Sequence, residues 1–252
     1  MKKFLFNTAT GIIACHLLVA CAAKPAALPT DDDAIRKNLR NKKSVSVLFI
    51  GNSLSFGLPK ELEKIARENG VNFHAAQQAH SGWNLARHSR SAETLHVLRG
   101  RHWDIVVLQE QSHIPSQPIK RRTHMVPSVM QLARESRAVG AIPVLYQTWG
   151  YRDGDERRFY DDFFAMNKRL RKGCHAAARV EGLPIVRVGD AWESEIAKGR
   201  GARLFMPDGL HPSRDGVRLN AQVFYEAFFV HQAAPKNRKM RLNAAKPTRG
   251  GG

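Results

Sequence analysis

The chain has 252 residues, a size compatible with one α/β domain plus a tail. Its 43% hydrophobic fraction is enough for a real core, and no internal run approaches the length of a membrane span. Forty Lys and Arg against 22 Asp and Glu give a formal charge of +18, which favours anionic partners: nucleic acid, lipid headgroups or an acidic envelope polymer. The excess is scattered rather than gathered into a motif, so a solvated basic surface is the simpler account of it.

In chain order, Lys2 and Lys3 precede an apolar stretch from Phe4 to Ala20 that small residues close. This is the pattern of a signal peptide over residues 1–20. Leu18-Val19-Ala20-Cys21 resembles the lipobox of bacterial lipoproteins. That resemblance implies that Cys21 is acylated and becomes the new N-terminus; a secreted protein with a chance cysteine is the alternative. Ala22, where Asp would signal inner-membrane retention, implies an outer-membrane anchor facing the periplasm. The membrane is then a partner through the lipid, and an exported protein rarely meets nucleic acid. Cys15 would leave with the signal, so Cys174 alone remains and reads as core packing. No cluster with metal-ligand spacing is visible.

Residues 21–43 are Ala/Pro-rich, then acidic, then basic, and read as a flexible tether. The domain is expected over 44–230. Val45 to Ile50 is an apolar, partly β-branched run stopped by Gly51, the signature of a buried parallel strand. Further strands are expected at Val71–Ala75, Asp104–Leu108, Ile142–Tyr146 and Ile185–Val188. Helical spacing marks stretches near Lys60–Asn69, Ala92–Leu98, Val126–Ala138, Phe159–Val180, Ala191–Lys198 and Val217–Val230. The tail 231–252 holds six Lys and Arg and no acid, and disorder is expected there. Five strands alternating with helices predict a three-layer α/β/α sandwich around a five-stranded parallel sheet, in the flavodoxin-like order 2-1-3-4-5.

The chemistry is expected at the carboxyl ends of the strands. Asn52 and Ser53 follow the first strand, where a serine on a tight strand-to-helix turn can face a ligand with backbone N–H groups beside it. Alone, Gly-Asn-Ser is equally a plain turn with a capping serine. Asp208-Gly209-Leu210-His211, stopped by Pro212, changes the balance. An Asp three residues before a His on a tight loop can engage imidazole Nδ1 and leave Nε2 free to face Ser53.

Together these stretches resemble the SGNH hydrolases, the GDSL esterase/lipase family. Phe49-Ile50-Gly51-Asn52-Ser53-Leu54-Ser55 matches the first block in its Gly-Asn-Ser form. Gly82, in Ser81-Gly82-Trp83-Asn84, matches the second, and Asp208-Gly209-Leu210-His211-Pro212 matches the last. The resemblance spans 44 to about 230. It implies Ser53 as nucleophile, His211 as base, Asp208 as its partner, and the Ser53 and Gly82 N–H groups as oxyanion donors, with no cofactor.

One block departs from the family. Where Gly-x-Asn-Asp is usual, the chain reads Leu108-Gln109-Glu110-Gln111-Ser112. This exit is similar to the Gln-Gly-Glu block of sialate and xylan acetylesterases. A Gln amide offers the donor that the family's Asn supplies, so Gln109, then Gln111, is expected to complete the oxyanion hole. Trp83, Trp149 and Tyr151 lie on loops at the same edge and either stack on a sugar ring or pack over the core. His80, His88 and His113 read as surface or packing residues. The whole implies an ester hydrolase that removes small acyl groups from a small-molecule or glycan ester. An acyltransferase using the same serine, and a non-catalytic lipoprotein that binds an envelope polymer, are the rivals.

Overall fold

The computed structural model describes residues 31–230. The signal segment 1–20, Cys21, residues 22–30 and the tail 231–252 lie outside the described residues.

Five strands form one parallel sheet: β1 Val45–Gly51, β2 Phe73–Ala79, β3 Ile105–Gln109, β4 Ile142–Gln147 and β5 Ile185–Arg187, in the order β2-β1-β3-β4-β5. The alternation along each central strand feeds two separate cores. Val47 and Phe49 of β1, Ile105 and Val107 of β3, and Val144 and Tyr146 of β4 face one side. Leu48 and Ile50, Val106 and Leu108, and Leu145 face the other. With apolar residues on both faces, the sheet is stable only when helices cover both, which accounts for the three layers.

On the first face lie α1 (Asp31–Leu39), α2 (Leu58–Glu68), α9 (Val188–Ala197) and α10 (Arg214–Phe229). The second face carries α3 (Leu85–His88), α4 (Ala92–Arg99), α7 (Val126–Ala138) and α8 (Phe163–Glu181). Between β3 and α7 the chain makes a broken helical run, α5 His113–Ser116, α6 Pro118–Lys120 and a π-turn over Arg121–Met125.

Three expectations are corrected. Residues 31–39 are not flexible tether but α1, and they belong to the domain. Ile35 and Leu39, four apart on one helical face, are buried in the first core, and the buried Arg36 guanidinium reaches the carbonyls of Glu226 and Ala227 at the end of α10. Strand β2 runs to Ala79 rather than Ala75, because an edge strand tolerates the polar Gln77 and Gln78 that read as loop. Helix α8 begins at Phe163 instead of Phe159. Asp162 caps it by accepting the Ala165 N–H at 2.7 Å, and Tyr160, at φ +56°, stands outside any helix.

Candidate active site

At Gly51, β1 reaches the carboxyl edge and Asn52 folds the chain back. Its Oδ1 accepts the Leu54 N–H at 3.1 Å, and its carbonyl accepts the Ser55 N–H and hydroxyl at 3.0 and 2.8 Å. This closure makes one 3₁₀ turn over Ser53–Ser55. Gly57, at φ +77°, then redirects the chain into α2, where Pro59 in the first turn needs no N–H partner. Ser53 is left partly exposed at the sheet edge, and its N–H has no acceptor among the described residues.

The loop after β2 is fastened to the same turn. His80 N–H donates to the Gly51 carbonyl at 3.3 Å, and Asn52 Nδ2 donates to the Trp83 carbonyl at 2.8 Å. Gly82 sits between these ties at φ +71°, a conformation that glycine adopts without strain. Its N–H also has no acceptor among the described residues.

Asp208 and His211 come from the loop before α10. Met206 N–H to the His211 carbonyl and Ser213 N–H to the Leu204 carbonyl, both 2.8 Å, close that loop. Inside it, Asp208 Oδ1 accepts the N–H groups of Leu210 and His211 at 2.9 and 3.0 Å, while Oδ2 accepts from His211 Nδ1 at 2.7 Å. His211 Nε2 stands 2.9 Å from Ser53 Oγ. With Nδ1 protonated against a carboxylate, Nε2 is the acceptor and the serine hydroxyl the donor. Desolvation opposes ionisation of Asp208, but the hydrogen bonds from the imidazole and the two backbone N–H groups outweigh it and bring the carboxyl down to about 2. The β4 exit props the loop from below, through Trp149 Nε1–H to the Leu210 carbonyl at 3.2 Å and Arg152 N–H to the Gly209 carbonyl at 2.8 Å.

Gln109 does not fit the role of oxyanion donor. It is 1% exposed, and its Oε1 accepts the Asn52 N–H at 2.8 Å. One Nε2 hydrogen goes to Asn52 Oδ1 at 3.0 Å and the other to the Glu110 carbonyl at 2.7 Å. A primary amide has two hydrogens, so none is left for a substrate. Gln111 differs: its Oε1 accepts the His113 N–H at 3.1 Å, and its Nε2 has no acceptor among the described residues. Glu110, between them, is buried. Its Oε1 accepts the N–H groups of Leu85 and Gln111 at 3.1 and 2.7 Å, while Oε2 has no partner. Burial raises this carboxyl to about 7 against the pull of those two N–H groups.

The remaining candidates sort themselves by burial. Trp149 is wholly buried and stacked on Trp192 at 4.1 Å, so it offers no face to a sugar. Trp83 is half-buried between the tilted His80 ring at 4.2 Å and the Arg87 guanidinium at 4.4 Å. Tyr151 is partly exposed and its hydroxyl lies 3.1 Å from His113 Nε2. His88 is fully buried, with Nε2–H donating to the Gly51 carbonyl at 2.7 Å and Nδ1 held by the Thr94 hydroxyl at 2.9 Å. Burial brings its pKa down to about 4, so it is a neutral strut under the Ser53 turn. Cys174 packs in the second core, its thiol pushed up to about 12 by burial. Sequence reasoning read His88 as packing, which its burial bears out, but it did not see that Asn52 ties the turn to β3 and to the loop after β2.

No family model matches the chain, and no curated protein does. Solved structures do. A protein of Slackia heliotrinireducens assigned to the SGNH hydrolases is 30% identical, with a TM-score of 0.61 over 73% of this chain and 98% of its own. A protein of Parabacteroides merdae described as a GDSL-like lipase is 16% identical, with a TM-score of 0.58 over 75% of this chain and 98% of its own. The esterase EstA of a Pseudoalteromonas species, in a structure inhibited by monoethylphosphonate, is 15% identical, with a TM-score of 0.52 over 72% and 95%. The last two likenesses speak to the fold alone.

Proposed function

The chain belongs to the SGNH hydrolase family, and on that premise we propose that it cleaves carboxylic esters through an acyl-serine intermediate. Ser53 is the nucleophile, His211 the general base, and Asp208 the group that holds the imidazole. The observation that carries this reading is the unbroken line from Asp208 Oδ2 to His211 Nδ1 at 2.7 Å and from His211 Nε2 to Ser53 Oγ at 2.9 Å.

As Ser53 Oγ bonds to the ester carbonyl carbon, its proton passes to His211 Nε2. The tetrahedral species collapses by breaking the bond to the alcohol oxygen, which leaves with that proton. Water then gives a proton to Nε2 and attacks the acyl carbon, and the second collapse returns the proton to Ser53 as the acid departs. Charge on the former carbonyl oxygen is met by the N–H groups of Ser53 and Gly82. Each preorganised donor of this kind contributes about 10²–10³ in kcat. Gln111, with its Nε2 uncommitted, is the side chain we assign as third donor.

The substrate class we propose is a small acyl ester on carbohydrate or envelope glycan. What supports it is the export and lipid-anchor pattern of residues 1–21, together with the exposure of the base: the side chains of His211 and Asp208 are 30% and 45% exposed, which suits an ester carried on a bulky alcohol. Acylation of Cys21 would hold the enzyme at the outer membrane, since each buried CH₂ contributes about 0.8 kcal/mol. Replacing Cys21→Ser should move the protein from the membrane to the soluble fraction; a wild-type protein already soluble, with a mature mass lacking lipid, removes the anchor.

Ser53→Ala should abolish p-nitrophenyl acetate turnover and fluorophosphonate labelling without changing Tm. Wild-type turnover in the purified Ser53→Ala protein would remove Ser53 as nucleophile. Acyl transfer to an added sugar acceptor, in place of free acid, would make the enzyme a transferase.

A further inference from the structure

Gln109 stands at the position where the family's side-chain donor is expected, yet both its amide hydrogens are committed elsewhere. Its partner is the residue immediately before Ser53. Gln109 and Asn52 exchange two hydrogen bonds, Asn52 N–H to Gln109 Oε1 at 2.8 Å and Gln109 Nε2–H to Asn52 Oδ1 at 3.0 Å. Asn52 in turn donates to the Trp83 carbonyl, one residue past Gly82. Glu110 closes the circuit by accepting the Leu85 N–H at the far end of that loop. Three chain segments, the exits of β1 and β3 and the loop after β2, are thus joined in one ring of hydrogen bonds beneath the serine.

We propose that Gln109 is a positioning residue that acts on ester cleavage through Asn52, fixing the spacing between the Ser53 and Gly82 N–H groups. The proposal rests on the assignment of Ser53 as nucleophile. Two features of the site are explained by it. Gly51 must be glycine, because an added Cβ would stand 2.4 Å from Gln109 Oε1 and push the amide off the β1 backbone. The amide at residue 52 is used on both sides: Oδ1 accepts from Gln109 and Leu54 while Nδ2 donates to Trp83, a bond an ionised carboxylate could not make. The pair is also buried, Asn52 at 2% and Gln109 at 1%, where hydrogen bonds lack competition from water. A donor misplaced by about 1 Å can lose about 10² in rate, so a device that holds two backbone donors in register has a kinetic consequence.

A double-mutant cycle separates positioning from direct donation. Gln109→Ala, Asn52→Ala and the double variant are compared by kcat and KM on p-nitrophenyl acetate, and by hydrogen–deuterium exchange over residues 51–55 and 80–86. Each single change should lower kcat by about 10² with little change in KM, and the double should be no worse than the weaker single, because both cut the same link. Exchange over 80–86 should rise in every variant. Additive losses, about 10⁴ in the double, mean that Gln109 donates directly and overturn the proposal. So does unchanged exchange over 80–86 in Gln109→Ala. Should the alanine variants fail to fold, Asn52→Asp cuts only the tie to Trp83. It should lower kcat and raise exchange over 80–86 while leaving 51–55 protected, and an unchanged kcat overturns the proposal. Turnover surviving in Ser53→Ala would sink the nucleophile assignment instead, whatever the exchange shows.

Discussion

The two halves of the site are built on opposite principles. Asp208 and His211 sit on a half-exposed loop, and Asp208 finds three of its hydrogen bonds within residues 208–211. The footing of Ser53 is buried and borrows from everywhere: Asn52 is held by β3 and by the loop after β2, and Gly51 by His88 and His80. Two carboxyls summarise the contrast. Asp208, beside a titratable donor and near water, is drawn down to about 2, whereas Glu110, with an unpartnered oxygen in the interior, is pushed up to about 7. A local, charged device can be altered with little effect on folding; a distributed, buried one cannot.

The contrast can be broken most sharply from the exposed side. His211→Ala should lower kcat by about 10⁵–10⁶ and Asp208→Asn by about 10⁴. Both should leave stability within about 0.5 kcal/mol of wild type, as exposed substitutions do. Steady-state kinetics and a thermal melt check the pair, and a large Tm loss in either would erase the distinction.

From the buried side the expected kinetic effect is smaller and the stability effect larger. Glu110→Ala leaves the Leu85 and Gln111 N–H groups without their acceptor, at a cost of about 1–3 kcal/mol for each group that stays buried. Its kcat should fall by about 10², through the loop that carries Gly82. Denaturant melts beside kinetics would show whether stability and rate fall together.

The two carboxyls also set opposite pH signatures. Glu110 stays protonated in the fold up to about 7, while the unfolded chain releases that proton near 4.5. The folded state binds more protons between those values, so stability falls as pH rises through the window and levels off above it. Glu110→Gln should flatten that slope in a Tm-against-pH series. Asp208 works the other way: its contribution is present above its ordinary 3.8 and is lost as pH falls toward about 2, and it is small because the group is half exposed.

The smallest effect on catalysis should come from the far end of the molecule. Ile35→Ala in α1 should cost about 2–5 kcal/mol of stability with kcat unchanged. A kcat loss there would mean that the first core, and not only the ring under Ser53, sets the geometry of the site.

This division also explains what could be read from the sequence. The central strands were legible because uninterrupted apolar runs such as Ile105–Leu108 leave little alternative, and the Asp208–His211 pairing because the two lie within four residues. Gln109 was misassigned because its partner lies 57 positions away, and no spacing rule connects a strand-exit amide to the turn of another strand. Helix α1 was hidden for a related reason: nine mostly polar residues resemble a linker until Ile35 and Leu39 are seen buried in the first core and Arg36 reaches the end of α10.

The Trp149–Trp192 stack has a practical corollary. Both indoles are fully shielded from water, and the N–H of Trp149 is spent on the Leu210 carbonyl, next door to His211. Indole emission responds to water and to a hydrogen bond at that nitrogen. Once Trp83 and Trp103 are replaced, the enzyme therefore keeps its own fluorophore pair at the joint between the β4 exit and the histidine loop, and the seating of that loop during turnover can be followed optically without attaching a label.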